Sequence, residues 1–369
     1  MNIKSLLLFL VALICLSSCK KKGGAVTGST KPTDLVINAV VSEDGSGKVN
    51  FTTTAKNAMR YNYFFGTSMA ELPTESADGK ATVTYRESGT YSVRVIAYST
   101  NNENAIASKE VAINVIFKIP TAGYSTPATY AGMNLAWADE FTGNALNETF
   151  WTHEIGNNNG WGNQELEYYQ PQNTTVEGGY LTITAKKESV TGFEYTSSRI
   201  KTQDKKVFKY GRIDIRAIVP QGQGIWPALW MLGNNITTVN WPKCGEVDIM
   251  ELVGGTATGK SDSKVYGTNH WDAGGYASYG GNYTLPSGKF SDEFHVFTLI
   301  WDQKFMTWYV DDKEFHKIDI SPSALDEFQK DFFMLFNVAV GGQWPGSPDA
   351  TTVFPQRMIV DYVRVFQKP

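Results

Sequence analysis

Runs of alternating apolar and polar residues divide the chain. Between residues 34 and 117 they are short: Leu35–Val41, Lys48–Thr54, Arg60–Phe65, Ala81–Tyr85, Tyr91–Ser99 and Glu110–Phe117. A period of two places every second side chain on one face of a strand. Turn-forming stretches such as Glu43-Asp44-Gly45-Ser46-Gly47 and Asp78-Gly79 separate the runs. Together they predict a small immunoglobulin-like sandwich. Residues 118–133, with Pro120 and Pro127 among small polar residues, read as a linker. From residue 134 to 369 longer strand patterns follow one another, among them YLTITAK, GRIDIRAIV, HVFTLIWD, FFMLFNVAVGG and MIVDYVRVF. Roughly 230 residues of strands without a crossover helix predict a large β-sandwich, so the fold class is all-β.

The first residues are a processing segment. Lys4 precedes the apolar run Leu6–Leu16, which is too short to span a bilayer as a helix. Leu16-Ser17-Ser18-Cys19 resembles a bacterial lipoprotein cleavage box, with residues 1–18 as the signal peptide. The resemblance implies a secreted bacterial lipoprotein, lipidated at Cys19 and held on the outer membrane, at the cell surface or on its periplasmic side. Residues 19–33, rich in Gly, Ser, Thr and Lys, then form a flexible tether. Of the 3 cysteines, Cys15 leaves with the signal and Cys19 takes lipid. Only Cys244 remains, so no disulfide closes within one mature chain, and the thiol reads as a buried, inert one. The segment GTYSVRVIAYSTN resembles the closing strands of a PKD-type domain, which implies a spacer over residues 34–117.

A formal net charge of −4 with 19% charged residues offers no basic field for nucleic acid. The aromatic share is 13%, including 10 Trp and 18 Tyr. Such side chains fill cores, and they also stack on the apolar faces of sugar rings.

The chemistry concentrates in GEVDIME, residues 245–251. On a strand Glu246 and Asp248 face one way, and regular alternation turns Glu251 to the other side. One extra residue, a β-bulge, returns Glu251 to the face of the first two. Two adjacent like charges repel, a cost that makes sense where it shifts pKa values. Two Glu side chains leaning over Asp248 meet at about 5–5.5 Å, the separation a double-displacement glycosidase uses. A cation site is the competing use of clustered carboxylates.

GEVDIME resembles the active-site strand of glycoside hydrolase family 16, in its laminarinase-like branch, with Met250 as the simplest choice of bulge residue. The likeness extends through WADEFTG, NNGWGNQELEYY, SSRIKT, YGRIDIRA, GIWPALWMLG, GTNHW, FHVFTLIWD, LFNVAVGGQWPG and MIVDYVRVF, in that order. It implies a concanavalin-like jelly-roll sandwich over residues 134–369. It also implies an endo-acting, retaining hydrolase of β-1,3-glucan or mixed-linkage β-1,3-1,4-glucan. Glu246 matches the nucleophile, Glu251 the general acid and base, and Asp248 the helper that tunes the nucleophile. Trp226, Trp230, Trp241, His270 and Trp271 match substrate-binding positions, with Asn157, Trp161, Arg199, Asn337 and Trp344 as further candidates. Arg199 has the alternative of a structural ion pair. The resemblance needs no cofactor for catalysis but implies a structural calcium held by Glu140, Gly179 and Asp361. His153-Glu154 lacks the second histidine of a zinc helix motif. The implied partner is the polysaccharide itself, met by a monomer. The alternatives are a surface glycan-binding protein without turnover, and a hydrolase of xyloglucan, agar or carrageenan.

Overall fold

The computed structural model describes residues 30–67 and 71–369, so the signal, Cys19 and most of the tether lie outside the described residues. The chain divides into two compact units, one ending at Ile116 and one starting at Phe117. The first packs a three-stranded sheet against a four-stranded one. Alternate residues such as Val49, Phe51, Val93, Val95 and Ala97 fill its core. The expected final strand at 110–117 lies instead at Asn104–Ile113, paired along the whole of Gly89–Tyr98. Its N-terminal half alternates weakly and is mostly exposed, which hid it from the hydrophobic pattern.

The second unit is built on two eight-stranded antiparallel sheets, with a short parallel pair formed by Glu167–Tyr169 and Tyr195–Ser197. Seven strands of one sheet matter here: β1 (Thr152–Glu154), β2 (Arg199–Lys201), β3 (Ile225–Gly233), β4 (Glu246–Glu251), β5 (Lys264–Asp272), β6 (Tyr276–Thr284) and β7 (Phe332–Val340). Their spatial order is β6-β5-β4-β3-β7-β2-β1. The inner face of this sheet supplies Leu229, Met231, Val247, Phe336 and Val338 to the main core. The opposing sheet answers with Ile213, Ile215, Leu299, Trp301, Val363 and Val365. β7 is buried along its entire length, and its run FFMLFNVAV is apolar except for Asn337. On its outer face Phe333 and Leu335 pack with Leu232 and Cys244, so Cys244 is a buried thiol among apolar neighbours.

Residues 118–133 are no free linker. Tyr124 N and Ala122 O bond Phe294, and Thr126 N donates to Tyr362 Oη at 2.9 Å. Tyr130 Oη donates to Asp214 Oδ2 at 2.7 Å, and Thr298 Oγ1 donates to Oδ1 of the same residue. Asp214 is fully buried in a strand of the opposing sheet and needs such donors. The segment is a strap belonging to the second unit.

Candidate active site

β4 carries the bulge. Against β3, Leu229 pairs with Met250 and Trp230 with Asp248, so Ile249 is skipped. Against β5, Asp248 meets Thr268 and Glu251 meets Tyr266: three steps along β4 for two along β5. The extra residue is thus Ile249, where the sequence pattern pointed to Met250. Both side chains enter the core together with Val247, and Glu246, Asp248 and Glu251 stand on the outer face. Two consecutive apolar residues on one side are the signature of a bulge. From the core side, Trp308 Nε1 donates to the Asp248 carbonyl at 2.8 Å, pinning the backbone beside the bulge. Gly267 leaves room for that indole: a Cβ there would meet Trp308 Cδ1 at 2.6 Å.

Each acid has an indole or imidazole partner. Trp241 Nε1 donates to Glu246 Oε2 at 3.1 Å, and Trp226 Nε1 to Glu251 Oε1 at 3.0 Å. His270 Nε2 lies 2.9 Å from Asp248 Oδ2 and 3.6 Å from Glu246 Oε1. Glu246, Asp248 and His270 offer donor atoms within 4.8 Å of one another, the grouping a divalent cation would use. The direct bond between His270 and Asp248 already makes them a hydrogen-bonded set.

Burial pushes all three carboxyls up to about 8. The Asp248 charge adds to the rise at Glu246 and Glu251; His270 and the two indole N–H groups oppose it. Acids this close titrate as a set, and losing one proton raises the hold on the next. Glu246 is the least buried of the three, with 18% of its side chain exposed against 4% for Asp248. It is the one that water and donors best support as an anion. Glu251, beneath Trp226, is the more buried of the two glutamates and the better placed of the two to keep its proton. One ionised and one protonated carboxyl on a single face is the pairing glycoside hydrolysis needs.

Aromatic rings flank this centre. Near Glu251, Trp344 packs edge-on against Trp226 at 5.6 Å and against Tyr266 at 5.0 Å. Near Glu246, Trp241 packs on Tyr276 at 5.2 Å. Trp230 stands on the same outer face through its pairing with Asp248. Other expected binding residues sit elsewhere. Trp271, one residue from His270, turns to the core and packs on Phe328, because neighbours on a strand take opposite faces. Asn157 has its amide fully engaged: Nδ2 donates to the Glu165 and Glu167 carbonyls and Oδ1 accepts from Gly160 N. It staples its own loop. Asn337 accepts from Trp230 Nε1 at 2.8 Å and donates to Tyr169 Oη at 3.1 Å, so it holds Trp230 from beneath. Arg199 is buried, bonds Glu154 at 2.5 Å and lies 4.5 Å from the Trp161 ring and 4.8 Å from the Trp230 ring. The ion-pair alternative describes it, and its guanidinium wedges the two indoles. Tyr266, Tyr276 and Trp308 were missed from sequence, because only strand pairing and packing set Tyr266 opposite Glu251, Tyr276 against His270 and Trp308 under the Asp248 backbone.

The expected calcium set does not fit a cation as arranged. Both Glu140 oxygens accept from Arg364, at 2.7 and 2.8 Å, and Asp361 Oδ2 accepts from Arg216 at 2.6 Å. Gly179 belongs to a two-residue hairpin turn with Gly178, where both residues take positive φ, of 63° and 88°. The two acids are arginine partners, and Gly179 answers a backbone need.

A family model described as glycosyl hydrolases family 16 matches residues 161–364. A second, described as beta-glucan synthesis-associated protein SKN1/KRE6/Sbg1, matches residues 54–239 and stops short of β4. The catalytic domain of an endo-1,3-beta-glucanase (laminarinase) from Thermotoga petrophila aligns with a TM-score of 0.60 and 46% identity, covering 64% of this chain and 98% of that one. Glucan endo-1,3-beta-glucosidase A1 of Niallia circulans is 39% identical over 67% of this chain and 39% of its own length. The clotting factor G alpha subunit of Tachypleus tridentatus is 38% identical over 63% of this chain and 34% of its own length. This chain therefore spans little more than a third of these two relatives. The fold and the acid strand define a jelly-roll glycosidase domain. The chain belongs to glycosyl hydrolase family 16.

Proposed function

We propose that the protein is an endo-acting, retaining β-glucan hydrolase, cutting β-1,3-glucan or mixed-linkage β-1,3-1,4-glucan by double displacement. The observation that carries it is the bulge at Ile249, which gathers Glu246, Asp248 and Glu251 on one aromatic-flanked face. Glu246 attacks the anomeric carbon while Glu251 gives its proton to the departing glycosidic oxygen. Glu251 then takes a proton from water, which displaces Glu246 from the sugar. Asp248, bonded to His270, keeps the pKa values of the two glutamates apart. The names of the matched glucanases favour β-1,3 linkages. The test is incubation with laminarin, barley β-glucan and xyloglucan, followed by sizing of the products. Reducing ends from the first two support the reading. Glucan retention without new ends would leave a binding protein instead, and cleavage of xyloglucan alone would place the substrate elsewhere in the family.

In the cell, a lipidated Cys19, a tether and a PKD-like spacer over residues 34–117 would hold this domain at a bacterial envelope, acting as a monomer. Labelling of the full chain by a fatty-acid analogue, lost in Cys19→Ala, tests the anchor. Light scattering of the soluble chain tests the monomer.

A further inference from the structure

Tyr276 stands on the edge strand β6 with 57% of its surface exposed, so core packing does not explain an aromatic ring there. Its hydroxyl lies 2.9 Å from His270 Nδ1, and the two rings stack at 5.7 Å with 17° between their planes. The same ring packs on Trp241 at 5.2 Å. One side chain thus touches both groups that hold the front of the acid set: His270, bonded to Asp248, and Trp241, bonded to Glu246.

A neutral imidazole carries one proton, and the partner of one nitrogen decides the state of the other. A phenol can give or take a hydrogen bond, but the other nitrogen of His270 faces carboxylate oxygens, which accept when ionised, and that leaves Nδ1 as the acceptor for the Tyr276 hydroxyl. The ring proton then sits on Nε2, which faces Asp248 and Glu246. An Nε2–H supports ionised carboxylates, whereas a bare Nε2 supports a protonated Asp248. The titratable groups around His270 are Glu246 and Asp248, with Glu251 farther along β4, and Tyr276 on β6. Asp272 on β5 is 3.9 Å from Lys243, and Glu327 lies beneath Gly245.

We propose that Tyr276 is a positioning residue for the acid set: its hydroxyl donates to His270 Nδ1 and so fixes the tautomer whose Nε2–H faces Asp248 and Glu246. The role rests on Glu246 being the nucleophile. It gives the edge strand a part in the reaction without contact to the reacting atoms.

The test has two arms on the full chain. Long-range proton–nitrogen spectra of histidine-labelled protein resolve the 4 histidines, and a His270→Gln sample assigns the relevant one. Wild type is expected to carry the proton on Nε2, and Tyr276→Phe, which keeps the stacked ring, to show a mixture of tautomers. An Nδ1–H form in wild type, or an unchanged tautomer in the variant, overturns the proposal. In kinetics on laminarin, Tyr276→Phe is expected to lower kcat roughly three- to ten-fold with KM within about two-fold. The acid limb of its pH profile moves upward, because the nucleophile becomes harder to ionise. A raised KM with an unmoved pH profile would make Tyr276 a sugar platform and also overturn it. The spectroscopic arm needs no turnover, so a wild type inert toward glucans would sink the hydrolase reading while leaving the tautomer assignment standing.

Discussion

Replacing Trp226 by Phe keeps the ring and removes the N–H that Glu251 Oε1 accepts at 3.0 Å. A hydrogen bond to an ionised carboxylate is worth about 1.5–3 kcal/mol, and one to its neutral form about 1 kcal/mol. The indole therefore favours ionised Glu251 by roughly 0.5–2 kcal/mol, which is about 0.4 to 1.5 pKa units at 1.36 kcal/mol per unit. Glu251 is only 8% exposed, so solvent screens little of this. The sign follows from the donor: Trp226 holds down an acid that burial pushes up to about 8, and its loss lets the acid climb further. The general acid must be protonated, so the basic limb of kcat/KM against pH should move upward by about 0.4 to 1.5 units. The acid limb, set by Glu246, should stay. Initial rates of reducing-sugar release from laminarin across roughly pH 4 to 10 measure both limbs. Movement of the acid limb instead would exchange the roles of the two glutamates. A profile that does not move at all would mean that the indole does not touch the acid. Trp241→Phe is the mirror experiment on the acid limb, with a smaller upward shift because Trp241 is 48% exposed.

Removing either carboxylate should be rescued by azide with opposite stereochemistry. Glu246→Ala should yield the α-glycosyl azide in one displacement and Glu251→Ala the β-azide from the covalent intermediate, read by NMR; the reverse pattern exchanges the assignments. Trp344→Ala should raise KM for laminarin with little change in melting temperature. Trp271→Ala should destabilise the fold by about 3 kcal/mol while a folded fraction keeps its KM, because one ring faces outward and the other packs on the core. Glu154→Gln removes the partner of Arg199 and Lys201 and should cost about 3 kcal/mol at neutral pH in denaturant melts. Burial raises Glu154, but the two cations outweigh it and hold the carboxyl below its usual range. Its contribution is thus present above the unfolded-state pKa and fades as pH falls through the lower folded one, so wild type and variant should converge in acid.

Much of the site was legible in order along the chain. Alternation alone placed Glu246 and Asp248 on one face and turned Glu251 to the other unless one extra residue came before it. It did not say which residue that is, because a bulge is defined by the partner strand, and only Leu229 pairing with Met250 singles out Ile249. The same rule separates His270 from Trp271, because β5 is regular there and adjacent residues on a regular strand take opposite faces. Asn157 and Asn337 have the chemistry to bind sugar hydroxyls, yet backbone carbonyls and an indole had already claimed their amides.

Sequence by itself determined what is local and periodic: an all-β chain, two sandwiches, and an acid strand with one residue too many. These follow from side-chain alternation and turn chemistry, which act over a few residues. The tertiary structure decided which polar groups remain free. Glu140 and Asp361 met arginines, residues 118–133 wrapped onto Asp214, and Tyr276 reached His270 across β5 and β6. A hydrogen bond or ion pair satisfies a group only where distant strands bring a partner within about 3 Å, and that choice is made by packing.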